Sequence, residues 1–500
     1  MKTTAKLTYR AFAALALVCF ALLSTAQAVS PPPDGGYVGG NTAEGNDALF
    51  SLTSGVWNTA LGFQSLYNNR SANQNTAVGF QGLFNNISGF ANTAIGAQAL
   101  FNNLHGLNNS GVGFRALYNN RDGNRNTGMG YRALAFNQDG DNNTAIGAEA
   151  LYQNTTGESN TAIGSDALRV NNASGNTAIG ADALSTNTTG FSNTAIGIDA
   201  LRANNESQNT AIGDSALRHN TIGILNTATG VAALELNSTG NYNTANGAFA
   251  LSDNTEGTSN TAIGNNALPQ NTRGFSNTAV GDTALARNTT GTSNIAIGFM
   301  AGFHLTTGDN NIDIGNVGMA GEASTIRIGQ QGTQTATFIA GISGATVSGT
   351  AVVVDGSGQL GVAPSSARFK EAIKSMDNAS EALFALKPVT FRYKKDIDPQ
   401  GISQFGLVAE EVESVNSDLV VRDKEGKPYT VRYDAVNAML LNEFLKEHRQ
   451  VQEQKTTIAE LKSAMAQQQK QIEALTAGLQ KVSAQLELSK SAPQTVLNDR

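Results

Sequence analysis

An asparagine recurs every 17 residues along more than half of this 500-residue chain, with only two steps of 16, and a glycine follows each one four positions later. The anchor asparagines are Asn41, Asn58, Asn75, Asn92, Asn109, Asn126, Asn143, Asn160, Asn176, Asn193, Asn209, Asn226, Asn243, Asn260, Asn277, Asn294 and Asn311. A fixed period of this length is typical of stacked coils that contact only their neighbours. The sequence therefore predicts a mainly β fold, with a repeat β-solenoid (β-roll) rod over residues 41–325.

Each repeat divides into parts with separate structural roles, as in NTAIGADALSTNTTGFS, which begins at Asn176. The segment NTAIG favours a short strand, because Thr and Ile suit a pleated backbone and the final glycine permits a sharp departure. ADALS suits a turn or a single helical turn, and leucine holds the ninth position in the first fifteen repeats, which predicts a buried column. NTTGFS and its variants supply turn residues, and we interpret the glycosylation sequons within them as turns.

Stacking of these coils would give a rod in which equivalent residues form ladders. Coils about 4.8 Å apart place seventeen of them along roughly 80 Å, and asparagine amides at that spacing can bond one to the next. The coil is thin, and its side faces are rich in Ala and Ile. We therefore expect three chains to share the core in a homotrimer.

The repeats resemble the NSVAIG-type repeats in the heads of trimeric autotransporter adhesins and the NTAIG repeats of tail-fibre-like bacterial proteins. The resemblance covers roughly residues 41–320. It implies a trimeric β-roll, although the 17-residue period is longer than that of the adhesin coils.

The N-terminus has the order of a secretory signal peptide. Three basic residues precede the apolar run AFAALALVCFALLS and a small-residue stretch that ends at Ala28. About fourteen apolar residues are fewer than the roughly 20 that a membrane span needs. We expect cleavage after Ala28 and export to the extracellular space or cell surface, with the periplasm as the alternative, and no membrane span in the mature chain. Residues 29–40 read as a Pro/Gly linker, and the only cysteine, Cys19, lies in the leader.

The lysine content of the chain changes sharply near residue 365. No lysine occurs between Lys6 and Lys370, after which lysines are frequent. The net charge of −7 gives no electrostatic footprint for nucleic acid, so we exclude that class of partner. From residue 326 to 364 the repeat decays into Ile, Val and Thr separated by glycines, which predicts a β stalk.

Beyond the stalk, four segments resemble the intramolecular chaperone domain of endosialidase tailspikes: SSARFKEAI, ALKPVTFRYK, FGLVAEEV and VRYDAVNAMLLNEFLKE. The resemblance covers residues 365–455. It implies a small α+β domain that trimerises the chain, promotes folding of the fibre upstream and then releases itself. We also predict a helix over residues 368–386 and a strand from Val389.

The family's motif, Ser-Asp-x-Arg-x-Lys, implies Ser365 and Lys370 as a catalytic dyad, with Arg368 matching and Ser366 standing where aspartate is common. A lysine serves as a base only when it is neutral, and burial in a trimer interface favours that form. The scissile bond would lie on either side of Ser365. The structural alternative is that the two serines cap a helix and Lys370 lies on its solvated face.

Residues 444–489 carry heptads, which predict a coiled coil that continues the last helix of the domain. Its a positions are Phe444, Val451, Ile458, Met465, Ile472, Leu479 and Leu486, and its apolar d positions are Leu461, Leu475 and Val482. We expect residues 490–500 to be a disordered tail.

Two functions are open. The chain is either an exported trimeric fibre whose C-terminal domain acts as folding chaperone and single-turnover autoprotease, or a non-cleaving, adhesin-like fibre that keeps this domain as a trimerisation cap. The Thr beside most anchor asparagines would also suit an ice- or surface-binding ladder, although strand propensity explains it more simply. Copies of the chain itself are the expected partners, and a cell-surface or glycan ligand is the class open to the rod. Neither a cofactor nor a metal site is expected, since the four histidines lack ligand spacing.

Overall fold

The computed structural model describes residues 37–340, 342, 348–423 and 425–490. The signal peptide predicted at residues 1–28, part of the linker and nearly all of the C-terminal tail lie outside the described residues. The chain forms two compact units, Met1–Thr346 and Val347–Arg500, and each is described by itself.

The described part of the first unit is a parallel β-solenoid of seventeen turns, with one three-residue strand in each turn and an eighteenth strand after the last. Its strands β1 to β18 are Thr42–Glu44, Thr59–Leu61, Thr76–Val78, Thr93–Ile95, Ser110–Val112, Thr127–Met129, Thr144–Ile146, Thr161–Ile163, Thr177–Ile179, Thr194–Ile196, Thr210–Ile212, Thr227–Thr229, Thr244–Asn246, Thr261–Ile263, Thr278–Val280, Ile295–Ile297, Ile312–Ile314 and Ile326–Ile328. Successive strands pair in register, so that Thr194 lies beside Thr210 and Ile196 beside Ile212. The predicted solenoid is confirmed.

The core of the solenoid lies inside a single chain. The central Ala of each strand and the Leu of each following turn are fully buried in nearly every coil. One chain already encloses its Ala and Leu columns, so burial of these columns does not require the three chains that we expected to share the core. The Ile column remains part-exposed.

The ADALS-type segment that contains the repeat leucine forms a non-helical turn, not a single turn of helix. All fifteen leucines adopt a left-handed backbone, with φ between +49° and +54°, a conformation that costs an L-residue roughly 1–2 kcal/mol. Burial of the side chain offsets this cost, and so does a backbone hydrogen bond to the next coil, such as Leu66 N to Gly82 O at 3.0 Å.

The anchor asparagines close each coil and join it to the next. The Asn143 amide nitrogen donates to the carbonyl of Gly157, near the end of its own coil, at 2.8 Å. Its Oδ1 accepts the backbone N–H of Asn160, the next anchor, at 3.0 Å. Amide-to-amide bonds also occur, as between Asn160 and Asn143 at 3.1 Å. The predicted Asn ladder therefore exists, but its most regular bonds run from side chain to backbone.

A second buried Asn ladder lies at the twelfth position of the repeat. Its members are Asn69, Asn86, Asn103, Asn120, Asn137, Asn154, Asn171, Asn187, Asn204, Asn220, Asn237, Asn254, Asn271 and Asn288. Each amide from Asn86 onwards donates to the Oδ1 of the preceding member, as Asn254 does to Asn237 at 2.7 Å. The sequons at Asn154, Asn187, Asn237 and Asn288 fall on this column, so their asparagines are buried turn residues.

The repeat glycine is required because adjacent coils approach too closely for a side chain. Gly197 has φ of +138°, and a Cβ there would lie 2.3 Å from the carbonyl oxygen of Gly213. The other glycines of this column, from Gly45 to Gly281, are crowded in the same way.

The second unit contains short antiparallel strand pairs and a long helix. Its elements are β19 (Val353–Val354), β20 (Leu360–Gly361), β21 (Val389–Phe391), β22 (Gln404–Gly406), α1 (Ala409–Val415), β23 (Val420–Arg422), β24 (Pro428–Val431) and α2 (Tyr433–Ser489). The pairs are β19 with β20, β21 with β22 and β23 with β24. The helix predicted over residues 368–386 is instead two 3-10 segments, Ala367–Phe369 and Asp377–Ala385, and positive φ angles at Ala372 and Asp377 interrupt any continuous helix.

A carboxylate interrupts the buried Ala column at the last full coil. Asp313 lies in register between Ala296 and Arg327 and is 1% exposed, yet neither of its carboxylate oxygens has a hydrogen-bond partner among the described residues. Arg327 pairs with Glu322 at 2.7 Å instead. Burial, and secondarily the Glu322 charge, raise the pKa of Asp313 to about 6, against an opposing effect of Arg327.

Asn143→Ala should weaken the stack locally, because the buried N–H of Asn160 loses its acceptor. An unpartnered buried group costs about 1–3 kcal/mol, so amide hydrogen exchange in the coils that begin at Asn143 and Asn160 should accelerate about tenfold or more. Mass spectrometry of peptides from these coils measures the change. Gln153→Ala, at an exposed position of the same coil, is the control. Equal exchange in both variants would contradict the closing role of the anchor.

Asp313→Asn should stabilise the last coils at neutral pH. The folded pKa of Asp313, about 6, exceeds its ordinary value of 3.8, so the folded chain binds more protons in that interval. The stabilisation that protonated Asp313 gives the folded chain is complete below pH 4. As pH rises through 6 and Asp313 ionises, the free energy of unfolding falls by up to about 3 kcal/mol. Hydrogen exchange of residues 294–328 should therefore show slower opening in the variant at pH 7.5 and little difference at pH 4. A difference that does not change with pH would contradict this assignment.

Candidate functional site

The predicted junction between stalk and C-terminal domain contains an exposed 3-10 turn, Ala367–Phe369. Ser366 is its N-cap residue, with an extended backbone, and its carbonyl accepts the backbone N–H of Phe369 at 3.0 Å. The turn ends at Lys370, whose N–H reaches the carbonyl of Ala367 at 3.1 Å. The Arg368 guanidinium lies 4.7 Å from the centre of the Phe369 ring.

The four residues singled out from the sequence all lie on this segment, and all are exposed in the single chain. Within the described part of the junction, the structure shows no hydrogen bond between the hydroxyl of Ser365 and the ammonium of Lys370. The hydroxyl of Ser366 makes no capping bond, although the residue occupies the capping position. The turn itself is thus held by backbone bonds, and both the serine and the lysine are free to take other partners in an assembly.

C-terminal to this turn in the sequence, a small apolar core holds the domain together. Val412 of α1, Leu419, Val420 of β23, Val431 of β24 and Met439 of α2 are its buried members. The hydroxyl of Tyr433, at the start of α2, also accepts the backbone N–H of Leu407 at 3.0 Å. These contacts fix the first turns of α2 against the strands and α1.

A polar network ties the second 3-10 segment to α2. The fully buried Ser380 donates to the carboxylate of Glu443 and accepts the amide of Asn442 at 2.7 Å. Lys446 donates to Glu443 at 2.8 Å. The bonds from Lys446, and then from Ser380, lower the pKa of Glu443. Sequence reasoning missed this network, since its two parts lie more than 60 residues apart and form no motif.

Helix α2 confirms the helix predicted near the C-terminus, and it leaves its apolar seam uncovered. The ten apolar a and d residues named above, from Phe444 to Leu486, are between 37% and 68% exposed. Phe384, Phe405 and Tyr429, elsewhere in the unit, are each more than 70% exposed. Large apolar side chains exposed in this number mark a surface of association.

The described residues include no group of three or more His, Cys, Asp or Glu side chains placed to hold a metal ion. No helix within the described ranges is both long and apolar enough to span a bilayer.

Residues 365–421 match the family model described as chaperone of endosialidase. Comparison with curated proteins and with solved structures gave no match. The chain therefore carries the intramolecular chaperone domain of endosialidase-type proteins, and the match begins at Ser365. This domain supports a role in assembling the chain with copies of itself.

Proposed function

We propose that this chain is an exported, trimeric, fibre-like protein whose C-terminal unit acts as an intramolecular chaperone for assembly and then cuts itself off at Ser365. The observation that carries the proposal is the uncovered seam of α2 within a unit that contains the chaperone domain. An apolar seam with a heptad period is buried when helices of several copies wrap around one another.

Assembly through the C-terminal unit would keep the repeats of different chains aligned. Each coil presents nearly the same surface to its neighbours, so separate chains could associate with their coils out of alignment. Helices that join in one register would align the copies before or while the solenoids pack. The polar residues at d support this role, because polar residues in a seam select register at a cost in stability; they are Glu447, Gln454, Gln468 and Ser489.

The proposed cleavage needs only residues of the junction. The Ser365 hydroxyl would attack an adjacent peptide carbonyl while neutral Lys370 takes its proton, and the departing amine would then receive that proton. Water would hydrolyse the resulting ester. In the single chain Lys370 is exposed, whereas burial in the assembled unit would favour its neutral form. Cleavage would therefore follow assembly.

The exposure of the junction also favours the alternative, in which the domain stays attached as a trimerisation cap of an adhesin-like fibre. Ser366, standing where the family's motif has aspartate, points in the same direction. The two proposals share the assembly step and differ at Ser365. Export rests on the sequence of residues 1–28 alone, and the rod is the part available to a cell-surface or glycan ligand.

Ser365→Ala tests the cleavage. The unmodified chain should release a fragment of about 135 residues, from Ser365 or Ser366 to Arg500, and the variant should remain intact on a denaturing gel. Lys370→Arg should also remain intact, because a guanidinium stays protonated, whereas Ser366→Ala should still be cut. Mass spectrometry of the fragment's N-terminus assigns the scissile bond. An unmodified chain that stays whole while fully assembled contradicts cleavage and favours the cap.

The double change Ile458→Lys and Leu461→Lys tests assembly. Two charges in the seam would have to lose water on burial, so the copies should fail to align and the chain should be recovered as single copies instead of forming a trimer. Sedimentation velocity measures the distribution. Ser463→Lys adds charge at a position outside the seam and should leave the trimer intact. A trimer that survives the double change would contradict the proposed seam.

A further inference from the structure

We infer that the outer face of the solenoid sheet is an interface between copies of this chain. This face, here called the Thr/Ile face, consists of the first and third residues of each strand from β2 to β17. The inference rests on the proposed trimer and names the surface by which the rods pack.

The Thr/Ile face is continuous because the strands pair in register without a shift. Within each strand the central residue points inward, so its two neighbours point outward. The first column is Thr or Ser in β2 to β15 and Ile in β16 and β17. The second column is aliphatic or Met in all strands except β12 and β13, where Thr229 and Asn246 stand. Its exposed members, such as Ile95, Met129 and Ile163, are 37–43% exposed.

Charge is absent from this face and present on the others. None of the sixteen strands carries a charged residue at either outward position. The turns of the same coils do carry charges, as in the ladder formed by Arg132, Glu149 and Arg169, with separations of 3.5 and 3.1 Å. Strand propensity explains why Thr and Ile are frequent, but it does not exclude Lys, Arg, Gln or Glu from sixteen solvated strands. Burial of the face against another apolar surface would exclude these residues, because they would lose their contact with water.

The dimensions of the face suit a stable interface. Sixteen strands about 4.8 Å apart, each about 10 Å long, cover about 800 Å², which is the area that one partner contributes to a standard interface. The occupant is a second copy of the chain, because the C-terminal unit brings copies of this same chain together and each copy carries the same uncharged face. Parallel copies would place identical coils side by side.

Single cysteines test the contact in the full chain with Cys19→Ser. The variant Ile179→Cys, in β9, should be joined between copies by a short bismaleimide, giving covalent dimers on a denaturing gel, since one cysteine per chain allows a single link. The control variant Thr189→Cys, at an exposed turn of the same coil, should remain almost entirely unjoined. Sedimentation velocity of both variants reports whether they assemble.

Methionine oxidation tests the same face in the unmodified chain, without any risk to folding. Met129 lies on the face and is 43% exposed in one chain, whereas Met319, outside it, is 58% exposed. Dilute hydrogen peroxide converts exposed methionines to sulfoxides. In the assembled protein Met129 should be oxidised at least tenfold more slowly than Met319.

The outcomes separate this inference from the proposed function. A trimer in which the Ile179→Cys variant is not joined, and in which Met129 is oxidised as readily as Met319, overturns the interface while assembly through the C-terminal unit stands. A chain that sediments as a single copy overturns both. Joining of the Ile179→Cys variant together with protection of Met129 supports the interface.

Discussion

Pairing of buried asparagine amides with backbone groups is the constraint on which the rod depends. A three-residue strand and a turn with left-handed leucines would not hold a coil closed by themselves. Each anchor amide from Asn41 to Asn294 donates to a carbonyl fourteen, or in two coils thirteen, residues later, and the last, Asn311, to one eleven residues later. The amide oxygen accepts a backbone N–H of the next coil. A shorter or longer side chain would leave one of these buried groups without a partner, which costs more than the bond itself contributes. This is why the register of the asparagine is kept so closely.

The periodicity of the sequence predicted the architecture because period, strand and buried Leu column are local features that repeat. It did not predict how the coil closes. The second Asn column was hidden within turn-like segments such as NTTG, where Asn has an obvious local reason to occur. The sequence also suggested a core too thin for one chain, whereas small Ala side chains allow the walls to approach until Leu fills the space. Asp313, which breaks the Ala column, gave no periodic signal of its own.

The C-terminal unit was predictable in a different way. The segments that resemble the chaperone family located the domain, and the family match begins at Ser365. The contacts that hold the domain were not predictable, because Ser380 and Glu443 meet only through tertiary folding. For the same reason the sequence placed a helix over residues 368–386 where the chain forms two 3-10 segments. Ser365 and Lys370 are exposed on one short segment, and cleavage in the assembled protein remains our proposal.

Each of the two units exposes a surface that association of copies would cover. The solenoid completes its own core in a single chain but exposes an uncharged face, and the C-terminal unit has a small core and exposes an apolar helix seam. Both surfaces are explained if copies of the chain associate. Native mass spectrometry of the unmodified protein tests this claim most directly. For the uncut chain of 52.0 kDa, we predict a complex of three copies, and after any cleavage three copies of the rod. A rod present only as single chains across the micromolar range would contradict the account.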